Sequence, residues 1–268
     1  MKALFFQYRH RVECVIFWLC HLIAAAGLAV LWSGPWLAAA ILWTYILTIV
    51  GQEAGSHRYF SHRSYEVSPP VTALLAFLSS IVFFGGPVNW AMSHIMHHRH
   101  ADTELDTTSP KYMSGLWIYL NLWKWNHRPI DMKNLAVARR WWRDTRDPVI
   151  GFFYRYYFPI AAAWWLLCLA ISLEMFVYVA VIPSLATQYL MNSVSYLGHS
   201  SGSRPFDTKD GSRNSLVLNI LCPGLGYHNN HHHDPRALRC GPVDFSWLFI
   251  ALVARRRPAA RSRALSGF

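Results

Sequence analysis

Four stretches of this sequence are too long and too apolar for a soluble domain: Val12–Trp32, Trp36–Ala54, Tyr157–Ser172 and Met175–Tyr196. About 20 apolar residues in a helix cross the hydrocarbon core of a bilayer. Helices satisfy every backbone polar group internally, as lipid requires. Ser33-Gly34-Pro35 joins the first pair and Leu173-Glu174 the second, so each pair is expected to form a hairpin. The third stretch is the shortest and leans on the aromatic run Phe152–Phe158 as an interface anchor. The first begins after Lys2, Arg9 and Arg11 but is too long for a signal-peptide core, so it is read as a retained span. The fold class expected is all-α and integral to the membrane, with four transmembrane helices in two hairpins.

Charge places the rest. Charged residues make up 15% of the chain, against roughly 25% in a soluble domain. Lys and Arg crowd the N-terminus, the long stretch from Arg58 to Arg155 and the tail Arg255–Arg263, and neither hairpin tip has any. By the positive-inside rule both termini and the long middle are cytoplasmic. The net charge of +11 flanks apolar blocks instead of lining a soluble face. That argues against nucleic acid and for an anionic lipid surface, with an anionic substrate carrier as a second partner. The five cysteines are odd in number and contain no CxxC pair, so neither a disulfide framework nor a cysteine metal knuckle is expected.

A fifth apolar run, Val71–Met92, is long enough to span but contains Gly85-Gly86-Pro87, which breaks a helix. It is read as an interfacial or re-entrant segment, part of a cytoplasmic helical cap. Residues 254–268 read as a flexible basic tail, and 1–268 as one membrane domain.

Most of the 14 histidines fall in clusters. His57 and His62 form H-x4-H just beyond the second span. His94, His97 and His98 form H-x2-H-H, and His228, His231 and His232 repeat that spacing. His199 follows the fourth span. Residues three and four apart share one helical face, so each triple projects together. The pair five apart is less well aligned and needs a local distortion. Neutral imidazole binds Fe, Zn, Cu or Ni. Eight or nine imidazoles exceed the needs of one ion and suit two. Soluble di-iron bundles use Glu-x-x-His motifs; none occurs here, so the site would be built from histidine. His228–His233 in isolation would suit a zinc-sequestering tract, but the repeated pattern argues for one shared site. Lone His10, His21 and His127 are read as hydrogen-bonded interface residues.

Three segments carry a resemblance to a known family: Gly55-Ser-His57-Arg-Tyr-Phe-Ser-His62, Trp90-Ala-Met-Ser-His94-Ile-Met-His97-His98-Arg-His-Ala-Asp102, and His228-Asn-Asn-His231-His232. In their order and intervals they resemble the histidine boxes of the membrane fatty acyl desaturases, the group that contains stearoyl-CoA desaturase. The likeness runs from His57 to about Trp247. It implies that the eight box histidines bind two irons, with His199 in Gly198-His199-Ser-Ser-Gly202 as a ninth ligand. The family often has an Asn four residues before that histidine, reaching metal through water. Ser195 stands there in this chain, with Asn192 seven residues before. Ile95 stands where family members often carry Arg, and His100 and His233 flank the boxes. Asp102 and Asp106 are placed either to hold ligand imidazoles by their free N–H groups or to cap the loop.

The resemblance implies an O2-dependent oxidoreductase that introduces a C=C bond into a fatty acyl chain on CoA, acyl carrier protein or lipid. Electrons would come from ferredoxin or cytochrome b5 with a reductase, and the expected location is a bacterial inner membrane. A hydroxylase or acetylenase on the same site is the alternative reaction. A membrane metal-binding or transport protein is the alternative class, and it would place ionisable residues mid-span.

Overall fold

The computed structural model describes residues 2–125 and 133–255. His127 and the tail beyond Arg255 lie outside them. Among the described residues the chain is helical, and extended pairing is limited to isolated bridges at Ser203–Asn214 and Asn214–Tyr227.

Three helices are long and apolar enough to cross a membrane: Tyr8–Val30, Gly34–Ser61 and Leu173–Ser200. This is a helical membrane protein. The fourth expected span is a helix of 15 residues, Tyr157–Ile171. At 1.5 Å per residue it reaches about 22 Å, short of a core of about 30 Å. Tyr156 (φ −101°, ψ 23°) separates it from the preceding helix, Pro148–Arg155.

A short break separates the first two apolar helices. Helix α1 (Lys2–Val30) ends before an extended Ser33, and Pro35 occupies the first turn of α2 (Gly34–Ile46), where its missing N–H costs nothing. The hairpins touch closely. A Cβ on Gly27 would lie 2.6 Å from Val177, and the Tyr178 hydroxyl donates to the Leu31 carbonyl at 2.9 Å. Outward-facing Leu19, Leu22, Ile41, Leu42, Leu166 and Leu167 are exposed, the surface that lipid solvates.

The second helical span does not stop at Ala54 but continues to Ser61, because α2 is extended. It passes without a break into a π-helix, Leu47–Ser61, that carries the chain to the first histidine box. A π-helix pairs residues five apart and in most proteins lasts a single turn; here it runs for 15 residues. Small residues let a neighbour lie against it. A Cβ on Gly51 would sit 3.1 Å from Leu78, and one on Gly55 would sit 3.5 Å from Leu75.

Those leucines belong to α3 (Pro69–Ser80), the first half of the broken apolar run. The second half is α4 (Gly86–His100). Between them Phe83, Gly85 and Gly86 all take positive φ, which glycine adopts at little cost. A side chain on Gly86 would also meet the Tyr157 ring at 2.7 Å. With 12 and 15 residues, neither half is as long as a span. Ala54, Phe60, Leu75, Ala76, Ala91, Met92 and Ile250 form a buried core under these helices, which ties the end of the second span to α3, α4 and the late helix Phe245–Val253.

Candidate metal centre

The π-helix supplies the distortion that the H-x4-H box requires. Pairing five residues apart aligns His57 over His62, with the His62 amide donating to the His57 carbonyl at 3.1 Å. Their rings lie 4.9 Å apart. Helix α4 presents His94, His97 and His98 on one face. The short helix His228–His233 presents the second triple, and His199 comes from the last turn of Ile182–Ser200.

All nine histidines expected as ligands come together, in two groups that could each hold a metal ion. His57, His62, His94, His98 and His231 form one; His97, His199, His228 and His232 form the other. In the first, Nε2 of His231 lies 2.9 Å from Nε2 of both His57 and His98, and Nε2 of His94 lies 2.9 Å from that of His62. In the second, Nε2 of His228 and His199 are 3.0 Å apart. The groups are adjacent, with the His98 and His232 rings stacked at 4.3 Å. Each triple is divided between them: α4 gives His94 and His98 to one group and His97 to the other.

Carboxylates set which nitrogen faces inward. Nδ1 of His97 donates to Asp106 at 3.0 Å and Nδ1 of His199 to Asp102 at 3.0 Å. Both aspartates thus sit where a partner for a ligand imidazole would be needed. Two further carboxylates do the same and were not singled out from sequence. Glu53 accepts from His57 Nδ1 at 2.6 Å, and Asp210 from His232 Nδ1 at 2.7 Å. Protonating Nδ1 leaves the Nε2 lone pair for a metal. Glu53 was legible as the residue one helical turn before a ligand. Asp210 lies 22 residues from its histidine, and no local pattern points to it.

A buried ion network supports Glu53. Its other oxygen accepts from Arg58 Nε at 2.8 Å, and Arg58 reaches Asp244 at 2.8 Å. Asp244 also caps Phe245–Val253 by accepting from Trp247 N. The first box is thereby fixed to the C-terminal helix.

The electrostatics suit a neutral ligand set. Burial, reinforced by neighbouring imidazoles, holds His62, His94, His98, His228 and His231 well below the ordinary histidine range. Burial also lowers His232, to about 4, although Asp210 opposes it. His97 differs: burial pushes it down, but Asp106, Asp102 and Asp210 outweigh burial and raise it. Burial pushes Asp102, Asp106 and Asp210 up, and their histidine partners pull them below the usual carboxylate range. Nε2 of His232 is buried with no hydrogen-bond partner, an expensive state unless something else occupies its lone pair. The convergent nitrogens and this orphan fit a metal pair.

Two spaces reach the histidines. A cavity of about 340 Å³ touches His57, His94, His97 and His228. An open cleft of about 530 Å³ touches His62, His98 and His232. Ser195 and Asn192 both line the cavity, and the Asn192 amide donates to Asn121 at 3.1 Å. His100 lines the cavity and His233 the cleft, the latter stacked on Phe206 at 4.1 Å. His21 is hydrogen-bonded between the Phe17 carbonyl and the Tyr189 hydroxyl, in the middle of the first span instead of at its end.

Comparison with known proteins agrees with this geometry. The sequence pattern of the fatty acid desaturase family matches residues 36–247. The chain is 30% identical over 231 residues to an sn-1 stearoyl-lipid 9-desaturase of Anabaena variabilis, covering 83% of this chain and 81% of the relative. It is 29% identical over 232 residues to an sn-2 palmitoyl-lipid 9-desaturase of Nostoc sp. (strain 36), covering 83% and 79%. To stearoyl-CoA desaturase 5 of Bos taurus it is 28% identical over 238 residues, covering 81% and 67%. The chain belongs to the fatty acid desaturase family. It is an oxidoreductase that acts on fatty acyl chains, and its histidine clusters are of a kind that could bind metal.

Proposed function

We propose that this protein is an O2-dependent desaturase whose nine histidines hold two iron ions, one in each group. The convergence of nine ring nitrogens in two adjacent groups carries the reading. Imidazole donors suit iron among other metals, and the kinship to acyl desaturases supports a redox metal. Bound iron would supply O2-driven removal of hydrogen from two neighbouring CH2 groups, a reaction beyond the pKa of any side chain.

The chain's own residues bind and orient. Glu53, Asp102, Asp106 and Asp210 hold Nδ1 protons and so keep Nε2 directed inward. A saturated acyl chain would lie in the cavity with its reacting carbons beside His57, His94, His97 and His228, against the apolar walls of Trp90, Met191 and Val194. Both lipid-linked and CoA-linked substrates are found among the similar proteins, and the acyl carrier on this chain is taken from that set or from acyl carrier protein. Electrons would reach the histidines from the open cleft, delivered by a ferredoxin or cytochrome b5 type partner. Helix Tyr157–Ile171 would make the fourth crossing, with both termini and the histidine cap on the cytoplasmic side of a bacterial inner membrane. The concentration of Lys and Arg away from both hairpin tips supports that orientation.

The test is a fatty-acid profile of a host with and without the protein, paired with metal analysis of purified protein. New unsaturated acyl chains and two irons per chain are expected. Hydroxy acids without a new double bond would replace desaturation by hydroxylation. Loss of the product-forming activity only on removal of zinc would overturn the iron assignment.

A further inference from the structure

The first span carries a buried carboxylate close to its start. Glu13 is fully buried, and its Oε2 lies 3.0 Å from Nζ of Lys124, which is 1% exposed. Oε1 of Glu13 accepts from the Gly85 amide at 2.9 Å. His10 faces the same carboxylate, Nδ1 to Oε2, at 3.5 Å. Lys124 packs over the Phe84 ring at 4.5 Å. Removing an ion pair from water is costly, and apolar replacements of similar volume are often as stable or more so. An ion pair buried at this cost beside a cavity is a candidate for a role in the cavity.

The pair borders the cavity that touches the histidines. Trp90 connects the two regions. Gly85, bonded to Glu13, lies against the Trp90 backbone and Cβ, and the Trp90 ring stacks on His94 at 4.8 Å. The cavity thus has a buried cation at one place, metal-ligand histidines at another, and apolar walls between. An acyl ester or thioester has the same order: a polar carbonyl, then methylenes, then the carbons to be oxidised. An ammonium group has three N–H donors. Glu13 takes one, and the Phe83 carbonyl lies at 3.5 Å from the same nitrogen.

We propose that Lys124, held in place by Glu13, receives the carbonyl oxygen of the acyl ester or thioester and so fixes which carbons lie beside the histidines. The inference rests on the desaturase reading of the cavity. Glu13 is a positioning residue acting through Lys124.

The test compares wild type with the double variant Lys124→Met/Glu13→Gln, which removes both charges at similar volume and leaves neither buried alone. Both proteins are assayed in membranes with acyl-CoA, acyl carrier protein and glycerolipid substrates. Double-bond position is read by mass spectrometry and iron content is measured in parallel. Wild type is expected to give one positional isomer. The double variant, with unchanged iron, is expected to spread the bond over neighbouring positions and to raise KM about tenfold or more, the scale of a lost hydrogen bond to a charged group, with kcat changed much less. The rise should appear on every carrier that wild type accepts. A single unshifted isomer with KM within about twofold would overturn the proposal, and so would a rise confined to one carrier, which would place the contact on the head group. If the double variant does not accumulate, Lys124→Arg is the second probe: it keeps the cation but moves its donors, and an unshifted product would again overturn the proposal. Absence of any unsaturated product from wild type would instead break the proposed function, before any variant is compared.

Discussion

The two H-x2-H-H triples have the same spacing and are held in different ways. The first rides on α4, 15 residues long, whose buried Val88, Ala91 and Met92 seat it in the apolar core. The second sits on a helix of six residues, too short to be stable alone. Polar side chains hold it. Asn214 Oδ1 accepts from the amides of Asn229 and Asn230 at 2.9 and 3.2 Å, Asn229 Nδ2 donates to the Phe206 carbonyl, and Asn230 Nδ2 donates to the Cys240 carbonyl. A helical face can thus be fixed either by packing along its length or by a clamp of amides around a single turn.

Substitutions in the two triples and their supports separate packing from clamping. The largest effect is expected from His97→Ala on α4 and His231→Ala on the short helix. Each should reduce unsaturated product to background with the protein still in the membrane; retained product would remove that residue from the ligand set. Asn214→Ala should come next. It leaves two buried amides without their acceptor, at about 1–3 kcal/mol each, and should lower iron content and activity together. Unchanged iron content and activity in Asn214→Ala would refute the clamp. Glu53→Gln and Asp210→Asn test the carboxylate partners, one on each metal group. Each should lose roughly 10–100-fold in metal affinity or activity, and unchanged iron binding would show the contact to be incidental. Met92→Leu, a volume-conserving change under α4, should cost less than about 1.5 kcal/mol and leave the product profile unaltered.

A pH dependence follows from the same histidines. His62, His94, His98, His228, His231 and His232 are all lowered in the folded chain, against an ordinary value near 6.5. Below that value the unfolded chain binds more protons, so stability falls as pH falls. His97, which is raised, opposes this alone. Chelator-treated protein should therefore melt at lower temperature at about pH 5.5 than at about pH 7.5, and equal melting temperatures would contradict the neutral ligand set.

Much of this was readable from the chain. The convergence of each H-x2-H-H triple follows from helical spacing, and the break at Gly85-Gly86 follows from glycine and proline. Three features were not legible, each for a physical reason. The 15-residue π-helix has no propensity signature in the chain, and its glycines meet α3 only in the folded structure. Asp210 reaches His232 through a loop whose path no period predicts. The Glu13–Lys124 pair joins residues 111 apart, so a lone acidic residue in an apolar run gave no hint of its partner.

The π-helix also limits how this site can be moved between proteins. On an ordinary α-helix, with 3.6 residues per turn, His57 and His62 would point about 140° apart. A designer who grafts H-x4-H onto a standard helical bundle would therefore obtain two half-sites facing different directions. The transferable unit is the wide helix together with the glycines that let α3 rest on it.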